Sequence, residues 1–168
     1  DAANRAVREA GFPHWTILKP AYMMDNLLAP KSRWTYPHLQ RERTIDTAMA
    51  PDRPLHWIAA ADVGRFAAAA FADPARFDRQ EIDLAAEALT MGEVAAIVSA
   101  TTGKPVAARH FSAAEAIALG NAPGLTESQE WANVEGYAVD TDKAGGHGVV
   151  LEHLADFTRR MRDRFDIG

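Results

Sequence analysis

The sequence contains no cysteine. That excludes disulfides and thiolate metal sites, and it fits a cytoplasmic protein better than a secreted one. Long apolar runs are also missing. The most apolar stretch, Ala67 to Ala72, stops at Asp73, far short of the roughly 20 residues a membrane-spanning helix needs. Positive charge is in deficit, with 18 Lys and Arg against 23 Asp and Glu and a net charge of -5. A broad nucleic-acid surface is therefore not expected. The six histidines form neither His-x-x-x-His nor His-Glu-x-x-His, so no zinc site is expected. There is no Gly-x-Ser-x-Gly turn, which argues against a serine hydrolase. What is present is ordinary for a globular unit: 168 residues, 48% hydrophobic and 24% charged. A chain of this length can bury roughly 70% of its unfolded surface.

The stretch from Trp15 to Leu28 organises the rest. Trp15 to Leu18 is an apolar run with β-branched members, which predicts a central strand covered on both faces. Pro20 cannot donate to a ladder, so pairing is expected to stop there. Tyr22 to Leu28 has one apolar and one polar side and predicts a short helix, ended by Pro30. Before the strand, the Ala-rich residues 1–10 predict a helix closed by Gly11. Ligands of open α/β sheets collect beyond the carboxyl ends of strands. Chemistry is therefore expected between Pro20 and Asn26.

Lys31 to Arg43 reads as a locally basic polar loop containing Trp34, Tyr36, Pro37 and His38. Basic and aromatic residues together can stack single-stranded nucleic acid, but the acidic chain favours a solvated loop or a flap over a ligand pocket. Residues 44–48 and 55–59 predict two short strands with a turn at Asp52-Arg53-Pro54. Asp62 is placed to cap a helix from Val63 to Ala72, whose alanines allow close packing on a sheet. Residues 81–85 and 105–110 predict further strands. Thr90 with Glu93 and Ser112 with Glu115 form capping boxes opening two helices, the first closed by Gly103. Thr126 with Gln129 suggests another start, for a helix running toward Val134. Residues 149–165 predict a final amphipathic helix, its arginines favouring the C-terminal end.

The phrase GFPHWTILKPAYMMDNLL resembles the central segment of NmrA-like proteins, a branch of the short-chain dehydrogenase/reductase superfamily. The likeness continues through HWIAAADVGRFAAAAFADPARFDRQEIDLAAEALTMGEVAAIVSATTGKPV to EGYAVD. It implies an α/β fold: the C-terminal part of a Rossmann-type doubly wound sheet plus a small α/β substrate or partner lobe. Residues 1–30 and 55–85 would supply sheet elements, and 31–54 and 86–168 the loop and lobe, within a single unit. The family's Gly-x-x-Gly-x-x-Gly phosphate loop has no match here, and the chain begins inside a predicted helix. The expectation is a C-terminal portion of a longer protein whose NAD(P) binding requires residues before Asp1.

A nicotinamide needs a flat apolar wall and exclusion of water. The resemblance implies that Pro20, Ala21, Tyr22 and Met23 border the cofactor, and Asn26, His56 and Trp57 are the candidate substrate-pocket residues. No tyrosine has a lysine four residues later, so the superfamily's usual proton donor is missing and no catalytic residue is assigned. The family includes NAD(P)-binding regulators as well as reductases. Three functions follow as expectations: a redox-responsive regulator or atypical reductase, an NAD(P)H-dependent oxidoreductase of small carbonyls or quinones, and a protein-interaction module that binds no nucleotide. The expected partner is a small molecule or another protein, with no direct nucleic acid and no membrane. Ala144-Gly145-Gly146-His147-Gly148 could cradle a phosphate with backbone N–H groups or serve as a flexible connector.

Overall fold

The computed structural model describes residues 2–141, 147–165 and 167–168. The fold is mixed α/β. Helix α1 (Ala2–Glu9) ends before Gly11, whose φ of +73° suits glycine, and the chain enters β1 (Thr16–Pro20). β1 pairs in parallel with β5 (Gln80–Leu84). Pairing does not stop at Pro20, because the proline's missing N–H matters only on its own residue. The N–H of Ala21 donates to the Leu84 carbonyl at 2.9 Å. The chain then crosses directly into a second sheet as β2 (Tyr22–Met23).

That second sheet places β4 (Leu55–Ile58) between β2, in parallel, and β6 (Glu87–Leu89), antiparallel. β5 reaches β6 through Ala85 and Ala86, and the Ala86 N–H donates to the Trp57 carbonyl at 2.7 Å. The two strands that pair in the first sheet thus splay at Ala21 and Ala85, and β4 enters between them. A third sheet joins β3 (Thr44–Thr47) to β7 (Ala107–His110) in parallel. The two strands predicted on either side of Asp52-Arg53-Pro54 are therefore not partners; each pairs elsewhere. β6 also carries sheet structure past residue 85.

Several local expectations shift. The segment after β2 is a 3-10 turn, Met24–Leu27, rather than a helix to Leu28. The basic loop contains a short helix α2 (Ser32–Thr35), and Tyr36 and Leu39 are fully buried. Helix α3 (Ala60–Ala72) starts before Asp62. Its cap comes from the Asp25 carboxylate, which accepts from the Ala60 N–H at 2.9 Å. Asp62, in the first helical turn and fully buried, pairs with Arg65 and accepts from the Glu152 N–H at 2.9 Å. α3 packs on β1, as its alanines allow. Asp73 then caps a further turn, α4 (Pro74–Phe77).

Both capping boxes form. Thr90 and Glu93 open α5 (Met91–Thr102), and Ser112 and Glu115 open α6 (Ala113–Ala118). Thr90→Ala is expected to lower stability by about 1 kcal/mol, because it orphans the Glu93 N–H. Urea denaturation checks this; an unchanged midpoint would contradict the cap. α7 (Pro123–Val134) begins three residues before Thr126, with Pro123 at its first position. Gln129 cannot serve the predicted box, since its Oε1 accepts from the Ala48 N–H at 2.9 Å. The last helix, α8 (Leu154–Arg160), is shorter than 149–165. Carboxylates from other elements capture the donors before it: Asp62 takes the Glu152 N–H and Glu87 the Leu154 N–H. A 3-10 turn at Arg162–Arg164 follows.

One core runs through the fold, centred on Trp57, Tyr22, Met24, Leu55, Phe66, Val94 and Phe157. No helix among the described residues is long and apolar enough to cross a membrane.

Candidate functional site

The splay at Ala21 fixes the candidate site. Pro20 is exposed at the carboxyl end of β1, while Ala21 and Tyr22 are buried and Met23 is half-buried. Across the second sheet Tyr22, Trp57 and Glu87 stand in one register row. The Tyr22 ring meets the Trp57 ring edge-on, with centroids 4.9 Å apart. Its hydroxyl lies 2.9 Å from the Tyr36 hydroxyl. The phenol therefore faces the core. What the segment offers outward is the exposed Pro20 ring and the adjoining main chain.

The buried phenols have defined electrostatics. Burial pushes the Tyr22 hydroxyl far up from its ordinary range, and the nearby Tyr36, Gln129 and Asn26 side chains only partly offset this. Tyr36 is also raised, first by burial and then by the neighbouring Tyr22. Both stay protonated at neutral pH, so they act as hydrogen-bonding groups and not as ionised bases. The Gln129 Nε2 beside them has no hydrogen-bond partner among the described residues, and neither has the fully buried Trp57 Nε1.

The three substrate-pocket candidates do not converge. Asn26 is half-buried; its carbonyl accepts from the Thr35 hydroxyl at 2.6 Å, which ties the turn to α2. His56 and Trp57 are neighbours on one strand, so their side chains leave opposite faces. Trp57 is in the core on the Tyr22 side. His56 meets Tyr137 edge-on, with centroids 6.5 Å apart. Burial lowers the His56 pKa, against the opposing pull of the Val139 backbone, so the ring is neutral at pH 7. Tyr137 in turn meets Trp131, with centroids 5.0 Å apart. A half-exposed aromatic group thus covers the face of β4 away from Trp57.

Two charged groups, Glu87 and Asp46, escaped the sequence reading, and a third, Asp62, was expected only as a helix cap. Glu87, at the splay, accepts from the Leu154 N–H, and its other oxygen lies 3.3 Å from His153 Nδ1. Asp62 and its partner Arg65 anchor residues 150–152 to α3, through the Glu152 N–H and the Val150 carbonyl. Asp46 is fully buried and bound by Arg109 and His38. The available signal was an acid in the middle of an otherwise uncharged predicted strand. Within the glycine cluster, residues 144–146 lie outside the described residues, and His147 stacks on Phe77 with ring centroids 5.6 Å apart. No group of three or more His, Asp or Glu side chains among the described residues could hold a metal ion.

A nicotinamide fits this geometry in one respect: the exposed Pro20 ring beside the small Ala21 is a flat apolar surface at a strand's carboxyl end. The described residues offer that wall and, among them, no glycine-rich phosphate cradle.

Comparison with known proteins gives this arrangement a family. The NmrA-like family matches residues 3–149. An uncharacterised oxidoreductase of Bacillus subtilis strain 168, YesF, is 32% identical over 161 residues, which is 95% of this chain and 52% of its own length. Among solved structures, the triphenylmethane reductase of Citrobacter sp. complexed with NADP(H) aligns with a TM-score of 0.72 at 17% identity, covering 95% of this chain and 56% of that one. An NADPH-dependent quinone oxidoreductase of Escherichia coli aligns at 0.71 and 22% identity, over 96% and 59%. This chain spans about half the length of the curated relatives it matches. At such identities the two solved structures speak for the fold alone. The family match covers most of the residues, including the splay at Ala21 and all three sheets, and on that ground the chain belongs to the NmrA-like family.

Proposed function

We propose that this chain forms the nicotinamide-side wall and the substrate or partner lobe of a cytoplasmic NAD(P)-binding protein. The protein would be a redox-responsive regulator or an atypical reductase. The observation that carries the reading is the splay at Ala21, which leaves Pro20 exposed at the carboxyl end of β1. That is where ligands of open α/β sheets bind. When bound, the dinucleotide would supply hydride chemistry. The residues of this chain position it: Pro20 and the main chain of Ala21 and Tyr22 form the wall, and Met23 closes it. The Tyr22–Tyr36 hydroxyl pair locks the wall to the lobe. Asn26 stands in the turn that follows the wall, and His56 lies on the face of β4 turned away from Tyr22. Trp57 supports the wall from behind.

An NAD(P)H-dependent oxidoreductase of small carbonyls or quinones is the second reading. The Bacillus subtilis relative named as an oxidoreductase supports it. The lack of a Tyr-x-x-x-Lys pair weighs toward the regulator.

The test uses the intact protein that carries this chain. It is expected to bind NADPH. Pro20→Trp, at an exposed position, is expected to weaken binding at least about tenfold, the loss of roughly 1.4 kcal/mol, with unchanged thermal unfolding. Unaltered NADPH affinity in this variant would remove the wall. NADPH oxidation across a panel of carbonyls and quinones separates the two readings: turnover favours the reductase, binding without turnover the regulator. No NAD(P) binding at all would leave the interaction module.

A further inference from the structure

Asp46 is a carboxylate with no exposed surface, placed on β3. Arg109 of β7 grips it from one side: Nε donates to Oδ1 at 2.7 Å and a terminal nitrogen to Oδ2 at 2.8 Å. From the other side His38 Nδ1 lies 2.6 Å from Oδ2. Burial alone would raise the Asp46 pKa, but the hydrogen bonds and charges of Arg109 and His38 outweigh it, and the net shift is downward. An ionised carboxylate only accepts, so His38 must carry its proton on Nδ1. The ring's orientation is thereby fixed, and its Nε2 edge is the part left to face outward.

That edge opens into a cavity of about 760 Å³ lined by Arg33, His38, Gln40, Arg41 and Glu42. Gly168 stands at its rim, its N–H on the Gln40 carbonyl at 2.9 Å. Arg33 and Arg41 have no ion pair among the described residues. Glu42 is the one carboxylate side chain lining the cavity among the described residues. It lies 3.7 Å from His38 Nε2 and 3.5 Å from Arg109. The lining sets two guanidinium groups, Arg33 and Arg41, against one carboxylate side chain, Glu42.

We propose that this cavity is a second ligand site, built for a tetrahedral oxyanion of the phosphate type. Arg33 and Arg41 supply guanidinium donors suited to such an oxyanion. His38 presents its Nε2 edge to the cavity, oriented by the buried carboxylate behind it. This is the residue group that sequence reading left as a basic loop. The site stands apart from the redox reading and does not depend on it.

The probe is inorganic phosphate, followed by NMR of the histidine rings in the intact protein at constant ionic strength and pH 6.5. The His38 Cε1–H resonance is expected to shift saturably, while exposed His14 stays in place. Arg33→Ala with Arg41→Ala, both at exposed positions, is expected to weaken binding about tenfold, as two charge-assisted bonds allow even after exposure to water reduces them. Tighter binding of glycerol 3-phosphate than of inorganic phosphate would assign the site to a phosphomonoester, and equal binding to the free ion. No saturation, an equal shift at His14, or unchanged affinity in the double arginine variant would overturn the proposal.

Discussion

Trp57→Ala is expected to lower the unfolding free energy by about 3–5 kcal/mol, the range for deleting a large aromatic from a packed core. Trp57 is fully buried. It sits in the central strand of the second sheet, between the two splayed strands, and the Tyr22 ring rests on it. Its loss would leave a void beneath the wall residue. Trp57→Phe is the informative companion. The indole N–H has no hydrogen-bond partner among the described residues, and a buried unmet donor costs about 1–3 kcal/mol. Phenylalanine loses volume but removes that donor. The two effects oppose, and the net cost is expected to stay below about 1.5 kcal/mol. Urea denaturation of both variants settles the matter. Equal losses would mean that the ring is not central to the core; a loss below about 1 kcal/mol for Trp57→Ala would contradict its packing.

What could be read in advance was local. The capping boxes at Thr90 and Ser112 need only residues three apart, and both form. The same rule failed at Thr126, where Pro123 begins the helix and Gln129 is engaged by Ala48, 81 residues away in sequence. Asp62 failed as a cap for a similar reason: Asp25, 35 residues upstream, holds the helix start, which freed Asp62 to hold Glu152. No pattern of neighbours encodes such long-range substitutions. The strand at Ile17 and Leu18 was legible from its composition. Its crossing into a second sheet was not, because a proline reads as an end unless the partner of the next N–H is known. The candidate wall was chosen by position along the chain, and its place at a strand terminus needs only the strand. That the Tyr22 phenol turns inward follows from pairing with Trp57, a tertiary fact. Family resemblance reached further than periodicity because it compares the order of many segments at once, and the family match spans the same stretch.

Asp46→Ala is expected to cost about 2–3 kcal/mol. Removing one partner of a buried ion pair costs about 3–5 kcal/mol when the other charge is stranded. Here the stranded groups can partly reach water, since the Arg109 side chain is 40% exposed and that of His38 23%, so the lower figure applies. Asp46→Asn keeps the shape and loses the charge, which separates packing from electrostatics. The pH dependence has a definite sign. The folded-state pKa of Asp46 lies below its ordinary value, as Arg109 and His38 overcome the effect of burial. A carboxylate depressed on folding stabilises the protein fully above its unfolded pKa, about 3.9, and that contribution is lost as pH falls from there through the folded value. The gap between wild type and Asp46→Asn should therefore be constant from pH 5 upward as far as this group is concerned, and should shrink below about pH 4. Denaturation at pH 7 and pH 3 measures it. A gap as large at pH 3 as at pH 7 would mean that the carboxylate's charge does not hold β3, β7 and the His38 loop together, and that shape alone does.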